Sequence, residues 1–162
     1  MNREALVSAM IAYDAGDPKR IHHLLKVYAF AKAIGEEEGL DAALQETLEA
    51  AALVHDIGIH ASEKKYGSCA GKYQELEGPA PARRMLEALD YPPETIDRVC
   101  YLVAHHHTYT AIDGIDYRIL MEADFLVNAY EDGLSPEAMQ KAEIMLFRTE
   151  TGKRYLRQMY SL

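Results

Sequence analysis

The sequence has no tryptophan, only two cysteines and no long apolar run, and its bases are outnumbered by its acids. Each shortage removes a class of protein. Cys69 and Cys100 cannot build a disulfide framework at this length, and neither stands in a Cys-x-x-Cys pair that would hold zinc through thiolates. Two reduced thiols in a cytoplasmic protein are the expectation. No stretch approaches the roughly 20 apolar residues of a membrane span. The segment from Met1 to Tyr13 holds Arg3, Glu4 and a short apolar stretch, Ala5 to Ala12, and reads as a first amphipathic helix, not as a signal peptide. With 17 basic and 26 acidic residues the net charge is −9, a field that repels a phosphate backbone, so nucleic-acid binding through a basic surface is disfavoured. A small phosphate ester remains admissible, because a bound cation can dominate the field inside a pocket. Period-two alternation is also missing, so strands are not expected.

What is present is ordinary for a well-cored domain: 49% hydrophobic and 27% charged residues over 162 positions, read as one unit spanning 1–162. Ile21, Leu24, Leu25, Tyr28, Ala31 and Ile34 recur at helical spacing after Asp17-Pro18, up to Gly35 or Gly39. Asp41 is placed to cap a helix whose stripe is Leu44, Leu48, Ala51, Ala52 and His55, with Gly58 as its stop. From His60 to Pro81, three glycines and two prolines predict the longest irregular stretch, of the kind that is often functional. A short helix over Ala82–Leu89 follows. Another runs from Pro92-Pro93 through Ile96, Val99, Cys100 and Val103 to His105-His106-His107. Later helices cover Tyr117–Tyr130, Ser135 to about Phe147, and Lys153–Tyr160. The expectation is an all-α domain of six to eight helices.

Seven histidines are spread unevenly, and His55-Asp56 is the sharpest of them. It follows the run Ala50-Ala51-Ala52-Leu53-Val54. An ionised aspartate buried beside a histidine in that setting is costly unless a cation or charged partner compensates it. Adjacent helical residues point about 100° apart, so one ion over the helix surface can be reached by both. An imidazole nitrogen with a carboxylate oxygen suits Fe, Mn, Ni, Co, Zn or Mg better than soft metals.

Around that pair the chain has Arg20-Ile-His-His-Leu-Leu-Lys-Val27 before it and Met121-Glu-Ala-Asp-Phe-Leu126 after it. The order His23, His55-Asp56, Asp124 resembles the HD-domain superfamily of metal-dependent phosphohydrolases, over roughly Arg20 to Asn128. The resemblance implies an all-α fold that brings these four residues onto one divalent ion. His23 is preferred to His22 because it stands four residues before Val27, in the family's His-x-x-x-Val pattern. It also implies hydrolysis of a small phosphate ester, such as a nucleotide, by a metal-activated water, with Asp56 orienting or deprotonating that water. Some members hold two metals through further histidines between the central pair and the last aspartate. Here His105 and His106 occupy that stretch, but the other intervening histidine is missing, and Glu75 and Glu77 stand in its region. Either a carboxylate replaces the imidazole or both are solvated charges, so one ion per chain is expected and a second stays open. Arg20, Lys65, Lys72 and Arg83 are candidate phosphate contacts. The expected partner is a small-molecule phosphate ester, with no nucleic acid and no membrane, and a homodimer is compatible with the sequence. The alternatives are a metal- and nucleotide-binding regulatory module without turnover and, with less support from the histidine count, a di-iron oxygenase.

Overall fold

The apolar run before His55 lies at the centre of the molecule. A computed structural model describes residues 2–162 as helices joined by short turns, with no strand among the described residues. The central helix is α3 (Ala42–Val54). Its N-terminus is capped by Asp41, whose side chain accepts the Leu44 amide at 2.9 Å. From Thr47 to Val54 every residue of α3 is buried, because neighbours surround the helix on all sides. Those neighbours are α1 (Arg3–Tyr13), α2 (Pro18–Glu37), α7 (Pro93–His105) and α8 (Ile115–Glu131). Leu48, Leu53, Leu102, Ile119 and Tyr117 fill the space between them and are fully buried. Each such leucine contributes roughly 1.5–3 kcal/mol of burial free energy.

α2 begins where the sequence signals it. Asp17 accepts the Arg20 amide at 3.1 Å and Pro18 takes the first helical turn, where its missing N–H costs nothing. The helix runs straight through Gly35 and ends before Gly39, whose φ of +77° closes it. Near the C-terminus, α9 (Pro136–Met145) and α10 (Glu150–Tyr160) are capped by Ser135 and Thr149; α10 packs against α8, and α9 against α10. Among the described residues no helix is long and apolar enough to cross a membrane. Cys69 is exposed, Cys100 is buried, and the two are not bonded to each other.

The stretch from His60 to Pro81 is the main departure from the sequence reading. It is not an irregular loop but three short helices: α4 (Ile59–Tyr66), α5 (Gly71–Glu77) and α6 (Pro79–Ala88). The glycines and prolines there punctuate helices. Gly67 is a left-handed C-cap at φ +66°, and Pro79 opens α6. With these included the described residues hold eight helices of ten or more residues and two shorter ones, α4 and α5.

Candidate metal centre

α3 ends at Val54, and the chain then makes tight turns through residues 55–58, with the Ile57 amide on the Val54 carbonyl and the Ile59 amide on that of Asp56. These turns aim both His55 and Asp56 at one point beyond the end of α3. α2 brings His23 to the same point, one turn after Arg20, and α8 brings Asp124. His23 Nε2 lies 3.1 Å from Asp124 Oδ1 and 3.3 Å from Asp56 Oδ2. His55 Nε2 lies 3.4 Å from Asp124 Oδ1 and 3.6 Å from Asp56 Oδ1. All four residues are buried, with His55 at 0% exposure.

The far side of each imidazole is fixed. His55 Nδ1 is 2.9 Å from the carbonyl of Ala52, and His23 Nδ1 is 2.6 Å from Glu131 Oε1. With Nδ1–H donating to those acceptors, each Nε2 presents a lone pair to the centre. Yet His23 Nε2, His55 Nε2 and Asp124 Oδ1 are buried without an aligned hydrogen bond, their short separations notwithstanding. Buried polar atoms are rarely left so, and three together around one point are the mark of a cation position. His23, His55 and Asp56 can each place one ligand atom within 4.8 Å of the others'.

The electrostatics also call for positive charge. Burial alone would raise the Asp56 carboxyl, but the imidazoles of His55 and His106 more than offset it and hold it well below its ordinary value. Asp124 is lowered in the same way by His23 and His55. Burial disfavours a charged His55, yet Asp56 and Asp124 outweigh it and raise the imidazole to about 9. Two carboxylates closed off from water thus draw protons onto the histidines, and a dication answers the same demand. Two imidazoles and two carboxylates fit a divalent ion of the borderline or hard kind.

The cluster opens into a cleft of about 280 Å³. Arg20 lies on its wall with Nη1 2.7 Å from Asp56 Oδ2, and Lys19 is beside it. Opposite stand Asn128, Glu131 and Asp132 of α8 and its C-terminal turn. His106, just past the end of α7, reaches Asp56 Oδ1 with Nε2 at 3.2 Å, and His107 and Gln74 line the cleft next to it.

Several expected contacts do not reach the cleft. His105 turns away: its Nδ1 meets the Tyr101 carbonyl at 2.7 Å and its ring stacks on Tyr101. Glu77 is held on the surface by Lys65 and Tyr66, both at 2.9 Å, so it is not a ligand here. Lys65 is engaged in that pair, and Lys72 lies over the Tyr73 ring. Arg83 pairs with Asp97 on the outside of α6. Glu77, Lys65, Lys72 and Arg83 share one cause, since a loop could have folded its charges inward but α4, α5 and α6 commit them to outer faces. Glu75 likewise meets Thr108 and not the centre. Gln74, His107 and Glu131 were missed by the sequence reading. Glu131 alone carried a signal, lying seven residues after Asp124 and so on the same face of α8.

Comparison with known proteins agrees with this geometry. The HD domain family profile matches residues 20–145. Deoxyguanosinetriphosphate triphosphohydrolase-like proteins of Rhodopseudomonas palustris (strain BisB18) and Bradyrhizobium diazoefficiens are 33% identical over 88 residues and 36% identical over 100 residues. Those alignments cover 51% and 59% of this chain but only 21% and 23% of the relatives, so the chain spans under a quarter of their length. Among solved structures, a predicted HD superfamily hydrolase from an uncultured Thermotogales bacterium superposes with a TM-score of 0.66 at 26% identity. The match covers 98% of this chain and 84% of that one.

Proposed function

The chain belongs to the HD-domain family, and from that premise we propose that it is a metal-dependent phosphohydrolase that cleaves a small phosphate ester with water. The observation that carries the proposal is the set of buried, unpartnered atoms His23 Nε2, His55 Nε2 and Asp124 Oδ1 facing Asp56 at the floor of an open cleft. His23, His55, Asp56 and Asp124 would hold the ion. When bound, a divalent ion supplies Lewis acidity to a phosphoryl oxygen and makes a coordinated water easier to deprotonate.

The chain's own residues then account for positioning. Arg20 and Lys19 meet the phosphate oxygens at the cleft wall, where arginine offers the bidentate fork. Asp56 is held ionised, so it accepts a hydrogen bond from the attacking water and aligns it; its depressed pKa makes it a weak base and favours orientation over proton storage. The water oxygen bonds to phosphorus as the phosphorus–ester oxygen bond breaks, and a proton ends on the departing oxygen. At about 280 Å³ the cleft is at the small end of ligand sites, enough for a phosphate with a sugar-sized group. The name of the triphosphohydrolase-like relatives makes nucleotides the first substrates to test.

The test is phosphate or pyrophosphate release from a panel of nucleoside mono-, di- and triphosphates and sugar phosphates with Mn²⁺, Co²⁺ or Ni²⁺. Turnover of at least one class, lost on chelation, supports the proposal. Tight metal and nucleotide binding without turnover would replace it with a regulatory binding module.

A further inference from the structure

Asp56, His106 and His107 form a second group able to place three ligand atoms within 4.8 Å of one another, next to the first. By donor type alone this is where the two-ion members of the family would find their second metal. The residues present do not fit that ion. We infer that Gln74 closes the second cation position and that the chain works with a single ion, a reading that rests on the metal centre proposed above.

The obstruction is one atom. Gln74 Oε1 lies 3.0 Å from His107 Nε2 and 3.3 Å from His106 Nε2, between the two nitrogens that would have to ligate. The orientation of the amide is fixed, because Gln74 Nε2 donates to the Cys69 carbonyl at 2.6 Å and so turns the oxygen toward the imidazoles. Facing that oxygen, His107 Nε2 donates its N–H, and a nitrogen that donates has no lone pair left for an ion. His106 is held on both sides, with Nδ1 facing the Val103 carbonyl at 2.7 Å and Nε2 facing Gln74 Oε1 and, at 3.2 Å, Asp56 Oδ1. The contrast with the first group is direct. His23 and His55 have unpartnered Nε2 atoms, whereas the Nε2 atoms of His106 and His107 both have the Gln74 oxygen at hydrogen-bond distance.

Gln74 cannot easily withdraw. It is 6% exposed, and α5, which carries it, rests directly on its neighbours. A Cβ at Gly71 would stand 2.7 Å from His107 Cγ, and one at Gly58 would stand 2.7 Å from the Gln74 carbonyl oxygen. Charge argues the same way. A second dication here would have Asp56 as its only anionic ligand, and Asp56 is already shared by the first centre and Arg20. A neutral amide adds nothing to compensate it. The consequence is that His106 stays beside Asp56 Oδ1 and helps hold the carboxylate in place, while His107 is tied to Gln74.

The experiment is titration of the metal-stripped full chain with Mn²⁺, read as bound equivalents by calorimetry and by metal analysis after gel filtration. The wild type should take one equivalent. Gln74→Glu keeps the shape but puts a charged oxygen at the same place, and should take two. Gln74→His is read in the same way if the glutamate variant does not fold. Two equivalents in the wild type would overturn the inference while leaving the metal centre standing, as would a folded Gln74→Glu that stays at one. No binding by the wild type would overturn both.

Discussion

Replacing Gly58 with alanine adds one methyl group where two backbones already touch. The new Cβ would stand 2.7 Å from the Gln74 carbonyl oxygen, 2.8 Å from the Gly78 nitrogen and 2.9 Å from the Gly78 Cα. None of these belongs to a flexible side chain, so the 74–78 segment must move back by about half an ångström or more. Overpacking of this kind costs about 1–3 kcal/mol. For a domain of this size each kcal/mol lowers Tm by roughly 2–4 °C, so the expected loss is roughly 2–12 °C. The site responds as well. Gly58 follows Asp56 by two residues, and the displaced segment carries Gln74, so Mn²⁺ affinity should fall with Tm. Thermal unfolding of the metal-free protein measures the first effect and a Mn²⁺ titration the second. A Tm within about 1 °C of wild type would mean that the turn after Asp56 is not braced by α5.

Three further outcomes follow from the same geometry. Glu131 holds the outer nitrogen of His23, a proposed metal ligand, so Glu131→Ala should weaken Mn²⁺ binding by about 10–100-fold and Glu131→Gln by less, with the Tm of the metal-free protein little changed. Arg20→Ala should raise KM for the phosphate substrate by about 10–100-fold, Arg20→Lys should recover only part of that loss, and Arg83→Ala, outside the cleft, should change neither KM nor kcat. Asp14 is buried and its carboxyl is pushed up to about 6, chiefly by that burial. Its folded pKa lies above its unfolded value, so the folded state binds more protons between about pH 4 and 6 and loses stability as pH rises through that window. Asp14→Asn should therefore gain Tm relative to wild type from pH 4 to 6 and hold that gain above it; a constant difference across the range would contradict this.

The parts of the fold that the sequence revealed are those where one signal acts over a short distance. Asp41, Ser135 and Asp17 cap the helices they precede, and the run before His55 is the buried centre because an apolar stretch with no polar face has to be surrounded. His23, His55, Asp56 and Asp124 converge as the family order implies. The failures concern faces and close approaches. Gly71 and Gly78 read as loop residues because nothing local distinguishes a flexible glycine from one pressed against His107 or Val103. Once 59–88 is helical, Lys65, Lys72, Glu77 and Arg83 must point where those helices turn them. The end of α7 at His105 decided the histidine triple, since the chain leaves helical register there and sends His106 and His107, not His105, to the site.

His23, His55, Asp56 and Asp124 are proposed to hold a divalent ion that the hydrolysis needs. The most direct test is a Mn²⁺ titration of metal-stripped wild type, Asp56→Ala and His22→Ala, paired with phosphate release from the best substrate of the panel. Tight binding and turnover are expected in the wild type, loss of both in Asp56→Ala, and retention of both in His22→Ala, whose histidine is the neighbour that does not join the cluster. A wild type that binds no divalent ion, or an Asp56→Ala variant that keeps its metal and its activity, would contradict it.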